Sequence, residues 1–297
     1  MSFVIATTLP QALEALAAGA RPVAGGTDLV VGARHGKAPL PEQLVAIDRL
    51  TELKSVTVTP LGVSIGALVS HHDIETHPML TTVYAGLADG SALVGSPATR
   101  HIGTLGGNIM NGSPAMDTGA PLAVLGAEVE LQSVRGSRRV PIEQLWTGPG
   151  RTSAQPDELC VAVHIPHPGN DSNSAYVRLE YRRAMEIAVV GAAAFVSLAP
   201  DGTIAALRVG LTAVAPTIFT GDLVGQVGKT VAEAAAAAAA LSSEQATPIS
   251  DVRASEAYRR HTVGVMARRA VEAAARRAAG ETISIPVNRA IGIGAAS

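Results

Sequence analysis

The chain has one cysteine, Cys160, in 297 residues. A lone thiol cannot close an internal disulfide, cage an iron–sulfur cluster or build a zinc ribbon. Any redox role must come from an organic cofactor or from another chain. Aromatic residues make up only 3%, too few for the stacking platforms that hold single-stranded nucleic acid. Charged residues make up 16%, with 23 Lys+Arg against 25 Asp+Glu and a formal net charge of -2. No basic block occurs, so no nucleic-acid partner is expected. No run reaches the roughly 18 apolar residues of a membrane span. The opening MSFVIATTLPQAL has neither the positive start nor the apolar stretch of a secretory signal. A cytoplasmic location is expected, compatible with a complex that rests on the inner face of the membrane.

Hydrophobic residues make up 47%, ample for buried cores, and the length suggests about two domains. Thr8-Leu9-Pro10 opens a helical stretch that Gly19 closes, and Arg21-Pro22-Val23 reads as a strand. A short helix is expected at Leu29-Val30-Val31, a buried strand at 44–47 and a pair of extended segments over 56–65. Residues 122–125 and 129–131 continue the α/β alternation. Between 56–65 and 122–125, residues 86–119 are rich in Gly, Ser, Thr, Asn and Pro and read as a long connecting stretch of functional character. The polar run 166–174 is turn-forming and marks a boundary. Beyond it, 176–183, 188–198 and 205–214 read as three strands, with Pro200-Asp201-Gly202 as a tight turn. The alanine-rich 230–241 and the longer 251–279 read as helices.

AGGTDL at 24–29 lies between a strand and a helix. Gly25 and Gly26 can take positive φ and leave no Cβ in the way, so backbone N–H groups can converge on an anion. Thr27 and Asp28 suit the turn and the N-cap. A plain glycine turn would look the same, and neither the dinucleotide fingerprint nor the Walker lysine is present. TLGGNIMNGSPAMD at 104–117 repeats the device with Gly106 and Gly107. Two such loops point to a pyrophosphate held between them. Asp117 can then accept from a sugar hydroxyl, or cap a helix beginning near Thr118.

Together these segments resemble the FAD-binding medium subunits of the molybdenum hydroxylases, the carbon monoxide dehydrogenase and xanthine dehydrogenase family. The resemblance runs from about residue 9 to about 278. It is carried by AGGTDL at 24, GSPATRHIGTLGGNIMNGSPAMD at 95, LWTGPGRTSAQPDELCVAVHIP at 145, RRAMEIAVVGAAA at 182 and PISDVRASEAYRRH at 248. It implies an α+β chain: a two-part α/β FAD-binding domain (PCMH/VAO-like) over 1–170, divided near residue 55. A small domain with a three-stranded antiparallel sheet and helices follows over 175–285.

By resemblance, Ala24, Gly25, Gly26, Thr27, Asp28 and Leu29 hold the pyrophosphate from one side, and Thr104, Gly106, Gly107 and Asn108 from the other. Ile102 lines the same cleft and Asp117 contacts the ribose or ribityl region. Cys160 takes the place of an aliphatic contact, while Arg178 and Ile187 match positions near the isoalloxazine ring. Two departures stand out. Glu186 replaces the usual Asp of the RRxxDIA pattern, and Arg178 stands where lysine is common, with a different hydrogen-bond geometry.

The resemblance further implies FAD on this chain, a molybdopterin-type molybdenum cofactor on a large subunit and two [2Fe–2S] clusters on a small one. The expected assembly is a dimer of heterotrimers, with NAD+, a quinone or oxygen as terminal acceptor. The lone cysteine disfavours the branch with an extra [4Fe–4S] cluster, which needs four thiolates. No residue is nominated as a catalytic acid, base, nucleophile or metal ligand. Adjacent His71 and His72, with His77 nearby, fit surface or capping roles better than a metal. Cys160 is expected to pack rather than react. Arg259, Arg260, Arg268, Arg269, Arg276 and Arg277 read as a solvated helix face that could meet a partner. The alternatives are a stand-alone flavoenzyme and a scaffold subunit without flavin.

Overall fold

The computed structural model describes residues 2–36 and 38–292. The chain opens with β1 (Ser2–Ile5), α1 (Leu9–Ala17), β2 (Arg21–Val23), α2 (Leu29–Arg34) and β3 (Gln43–Ala46). The three strands form a parallel sheet in the order β1-β3-β2. Pro10 sits in the first turn of α1, where its missing N–H costs nothing, and Leu13 and Leu16 pack beneath it. The turn between β2 and α2 is the first glycine loop.

A second sheet starts at β4 (Val56–Thr59) and β5 (Gly62–Gly66). A run of short helices follows: α3 (His71–Thr76), α4 (Pro78–Val83), α5 (Ala85–Leu93), α6 (Pro97–Ile102), α7 (Leu105–Met110) and α8 (Gly119–Val124). Residues 86–119 are therefore largely helical and not a long connection. Side-chain caps start four of these short helices: Ser70, His77, Ser96 and Thr104 each accept from a first-turn N–H. The sheet resumes with β6 (Glu128–Ser133) and β7 (Gly136–Pro141). After α9 (Ile142–Leu145) and a small ribbon of β8 (Trp146–Gly148) and β9 (Arg151–Thr152), it ends with β10 (Leu159–Pro166). Its order is β4-β5-β10-β6-β7 and its pairs are antiparallel. Alternating buried residues of β6 and β10 join α5, α7 and α8 in one core.

The third sheet holds β11 (Ser172–Leu179), β12 (Val190–Leu198), β13 (Ile204–Thr212) and β14 (Phe219–Asp222), in sequence order and antiparallel. Four strands stand where the sequence suggests three. β14 is only four residues long, FTGD, and has too little β-branched or alternating character to read as a strand before its pairing with β13 is seen. α10 (Val231–Gln245) and α11 (Glu256–Ala278) cover the sheet, followed by α12 (Val287–Ala290). A capping box of Thr230 and Glu233 starts α10. Its alanines let the helices approach closely: a Cβ on Gly264 of α11 would lie 2.7 Å from the Ala239 carbonyl oxygen of α10. A core poor in aromatic residues is filled here by near contact of backbones.

Candidate cofactor site

The two glycine loops, some 80 residues apart in sequence, meet. Residues 67–71 run beside 103–106, with Gly106 N donating to the Ala67 oxygen (2.9 Å), Leu105 N to Val69 (3.0 Å) and His71 N to Gly103 (3.1 Å). That zipper places the second loop at the end of β5. Gly25 of the first loop lies against the end of α6, where a Cβ would clash with the Ile102 carbonyl oxygen. Gly26 takes φ +68°, a left-handed conformation that favours glycine. A Cβ on Gly106 would fall 2.6 Å from the Ala67 Cβ. Both motifs need glycine because another backbone lies close by.

Thr104 caps α7 by accepting from Gly107 N (3.2 Å), and the Asn108 Oδ1 accepts from the Thr118 hydroxyl (2.6 Å). Asp28 stands at the N-cap position of α2 but makes no capping bond to that helix, contrary to the expectation for the turn. Around the loop junction several large apolar side chains are exposed: Val31 (48%), Ile102 (57%), Met185 (57%) and Ile187 (49%). The loop carrying the last two is tied to the turn before α6, since Met185 N donates to the Gly95 oxygen (2.9 Å). A polar seam flanked by apolar side chains suits a dinucleotide, whose phosphates and rings differ in the same way.

Asp117 does not cap α8. Its carboxylate accepts from the Tyr176 hydroxyl (2.9 Å) and from Arg178 (2.7 Å). Burial pushes this carboxyl up, against the opposing pull of Arg178 and Tyr176. Arg178 is fully buried; it also donates to the Leu93 oxygen (2.9 Å) and forks onto Glu180. Burial disfavours its charge, but Asp117 and Glu180 hold it charged. The guanidinium therefore serves the protein's own acceptors, and Glu180 is a member of this cluster that sequence reading missed. Glu186 pairs with Arg182 at 3.5 Å. Cys160 lies on β10 inside the core, where burial pushes its thiol up to about 12. Its buried place in the core is that of a packing residue.

The histidines divide. His77 caps α4, and His72 pairs with Glu75 at 3.2 Å, but His71 is buried with its Nδ1 unpartnered. A surface role for His71 is thus corrected. Its backbone enters the 67–71 zipper, a long-range pairing that no local pattern announces. The arginine face of α11 is also only partly solvated. Arg259 and Arg277 turn inward onto Asp251 (2.7 Å) and Asp89 (2.6 Å), while Arg260, Arg268 and Arg276 pair with nearby glutamates at the surface. Among the described residues no cluster of metal-ligating side chains occurs and no helix is long and apolar enough to cross a membrane.

Residues 1–168 match the family model of the FAD binding domain in molybdopterin dehydrogenase, and residues 175–274 that of the CO dehydrogenase flavoprotein C-terminal domain. A putative xanthine dehydrogenase FAD-binding subunit from Escherichia coli is 30% identical over 287 residues, covering 94% of this chain and 98% of the relative. The carbon monoxide dehydrogenase medium chain of Afipia carboxidovorans is 34% identical over 269 residues, with 90% and 92% covered. Among solved structures, a carbon monoxide dehydrogenase chain from Hydrogenophaga pseudoflava superposes with a TM-score of 0.88 at 28% identity, covering 93% of this chain and 98% of that one. With two glycine loops meeting at one seam and both halves matched, the chain belongs to the FAD-binding subunits of the molybdenum hydroxylases of carbon monoxide and xanthine dehydrogenase type.

Proposed function

We propose that this chain holds FAD non-covalently and serves as the electron-transfer subunit of a molybdenum hydroxylase. The observation that carries this reading is the meeting of the glycine loops, where Gly25 lies against Ile102 and Thr27 stands by Gly103. Ala24, Gly25, Gly26, Thr27, Asp28 and Leu29 take one side of the pyrophosphate, and Thr104, Gly106, Gly107 and Asn108 the other. Ile102 and Ile187 offer apolar flanks to the rings. Asp117 faces the ribityl or ribose hydroxyls, with Arg178 as the residue that fixes its carboxylate. Cys160 backs the site as an apolar contact. When bound, FAD supplies the redox chemistry, and the protein supplies position and electrostatics.

The FAD-binding region extends over 1–170, in two parts divided near residue 55, and the C-terminal region over 175–285. A large chain with the molybdenum cofactor and a small chain with two [2Fe–2S] clusters complete the enzyme, as a cytoplasmic dimer of heterotrimers. The acceptor is NAD+, a quinone or oxygen. Co-expression of the full chain with candidate large and small chains tests the assembly. A purified complex holding all three, with flavin reduced only when the cluster chain is present, supports it. A chain that purifies alone and oxidises a substrate by itself would establish the stand-alone flavoenzyme instead.

A further inference from the structure

His71 opens α3, is 1% exposed and has a buried Nδ1 without a hydrogen-bond partner. Unpartnered buried polar atoms are few in native proteins and call for a specific reason. Burial, and then the nearby Arg100, lower the ring's pKa to about 4, so it is neutral at neutral pH. A neutral imidazole carries one proton. Buried N–H groups left without an acceptor are rarer than buried acceptors left without a donor. The proton therefore belongs on Nε2, with the enclosed Nδ1 as a bare lone pair.

One edge of the ring lies at Gly103. Cδ2, the carbon bonded to Nε2, lies 3.4 Å from the position a Cβ would occupy on Gly103, and the Thr27 hydroxyl oxygen lies 3.6 Å from the same point. The Cδ2 edge of His71, the hydroxyl of Thr27 and the Thr99 carbonyl oxygen (3.1 Å) thus border the side of Gly103 that has no Cβ. This is the seam where the first glycine loop meets the second. The ring is held there by the backbone bond from His71 N to the Gly103 oxygen.

We propose that His71 is a binding residue of this site, donating Nε2–H to the pyrophosphate of FAD at the Gly103 seam beside Thr27. The inference rests on the FAD reading and adds to it a donor that lies in neither glycine motif. A hydrogen bond to a charged acceptor is stronger than one between neutral groups. Its loss should weaken binding about ten- to hundredfold.

The test uses the full chain freed of flavin and titrated with FAD, followed by flavin fluorescence. His71→Phe keeps a ring in place and removes both nitrogens; the expected result is the stated loss of affinity. In the unmutated chain labelled with 15N-histidine, the His71 Nε2 resonance should shift on adding FAD, and also on adding ADP, which carries the pyrophosphate without the flavin. This arm does not depend on the variant folding. FAD binding with an unmoved Nε2 resonance, or with equal affinity in a folded His71→Phe, overturns the role of His71 and leaves the FAD reading standing. A folded chain that binds no FAD overturns both.

Discussion

The glycine seam and the polar cluster beside it are built by opposite means. At the seam, backbone meets backbone: Gly25 against Ile102 and Gly106 against Ala67, where a single added carbon would clash. In the cluster, long side chains span the fold. Arg277 of α11 clasps Asp89 of α5 at 2.6 and 3.0 Å across 188 positions of sequence, and Asp89 also accepts from Tyr176 N and Val287 N. Arg178 of β11 joins Asp117 to Glu180, the residue just past the end of that strand. The lesson is a division of work. The surface proposed to admit a phosphate is made of closely approaching backbone, while buried ion pairs fix α11 to α5 and β11 to the turn before α8.

The contrast is broken most forcefully at Asp89. Replacing it with alanine leaves the Arg277 guanidinium buried and unpaired, a loss of about 3–5 kcal/mol. Denaturant unfolding of the flavin-free chain should show a correspondingly lower midpoint. The second effect depends on pH and belongs to His71, whose folded pKa is lowered from 6.5 to about 4 by burial and Arg100. The unfolded chain takes up this proton first, so stability declines as pH falls from about 6.5 and levels off below about 4, by about 3 kcal/mol in full. Stability measured against pH should lose this slope in His71→Phe.

Gly25→Ala tests the other side of the contrast. Overpacking against Ile102 costs about 1–3 kcal/mol, less than the change at Asp89, yet FAD affinity should fall steeply because the loops are forced apart. If Gly25→Ala lowers stability as much as Asp89→Ala and spares FAD binding, the division of work fails. The smallest effect is expected at the exposed pair of Arg268 and Glu272 on α11. Arg268→Ala should change the unfolding free energy by no more than about 0.5 kcal/mol.

The same contrast explains what could be read from the sequence. Backbone-built sites leave glycine in fixed patterns, so AGGTDL and TLGGN were legible as paired loops before any contact was known. The strands and helices with clear apolar periodicity, β10 and α11 among them, were legible for the same reason. Ion pairs leave no local pattern. Nothing near Asp89 in sequence points to Arg277, and the arginines of α11 look alike until the fold turns Arg259 and Arg277 inward. Asp117 looked like a helix cap because Asp before a helix usually is one; its partners Tyr176 and Arg178 are about 60 residues away. β14 was missed because four residues with a glycine carry little strand signal apart from their neighbour.

The central claim is that the glycine seam holds FAD. The most direct measurement is the visible absorption spectrum of the full chain after mixing with FAD and removal of unbound cofactor, followed by identification of whatever denaturation releases. The account predicts a yellow protein with oxidised-flavin bands and FAD released in a one-to-one ratio. A folded chain that stays colourless, alone and together with its large and small partner chains, would contradict it.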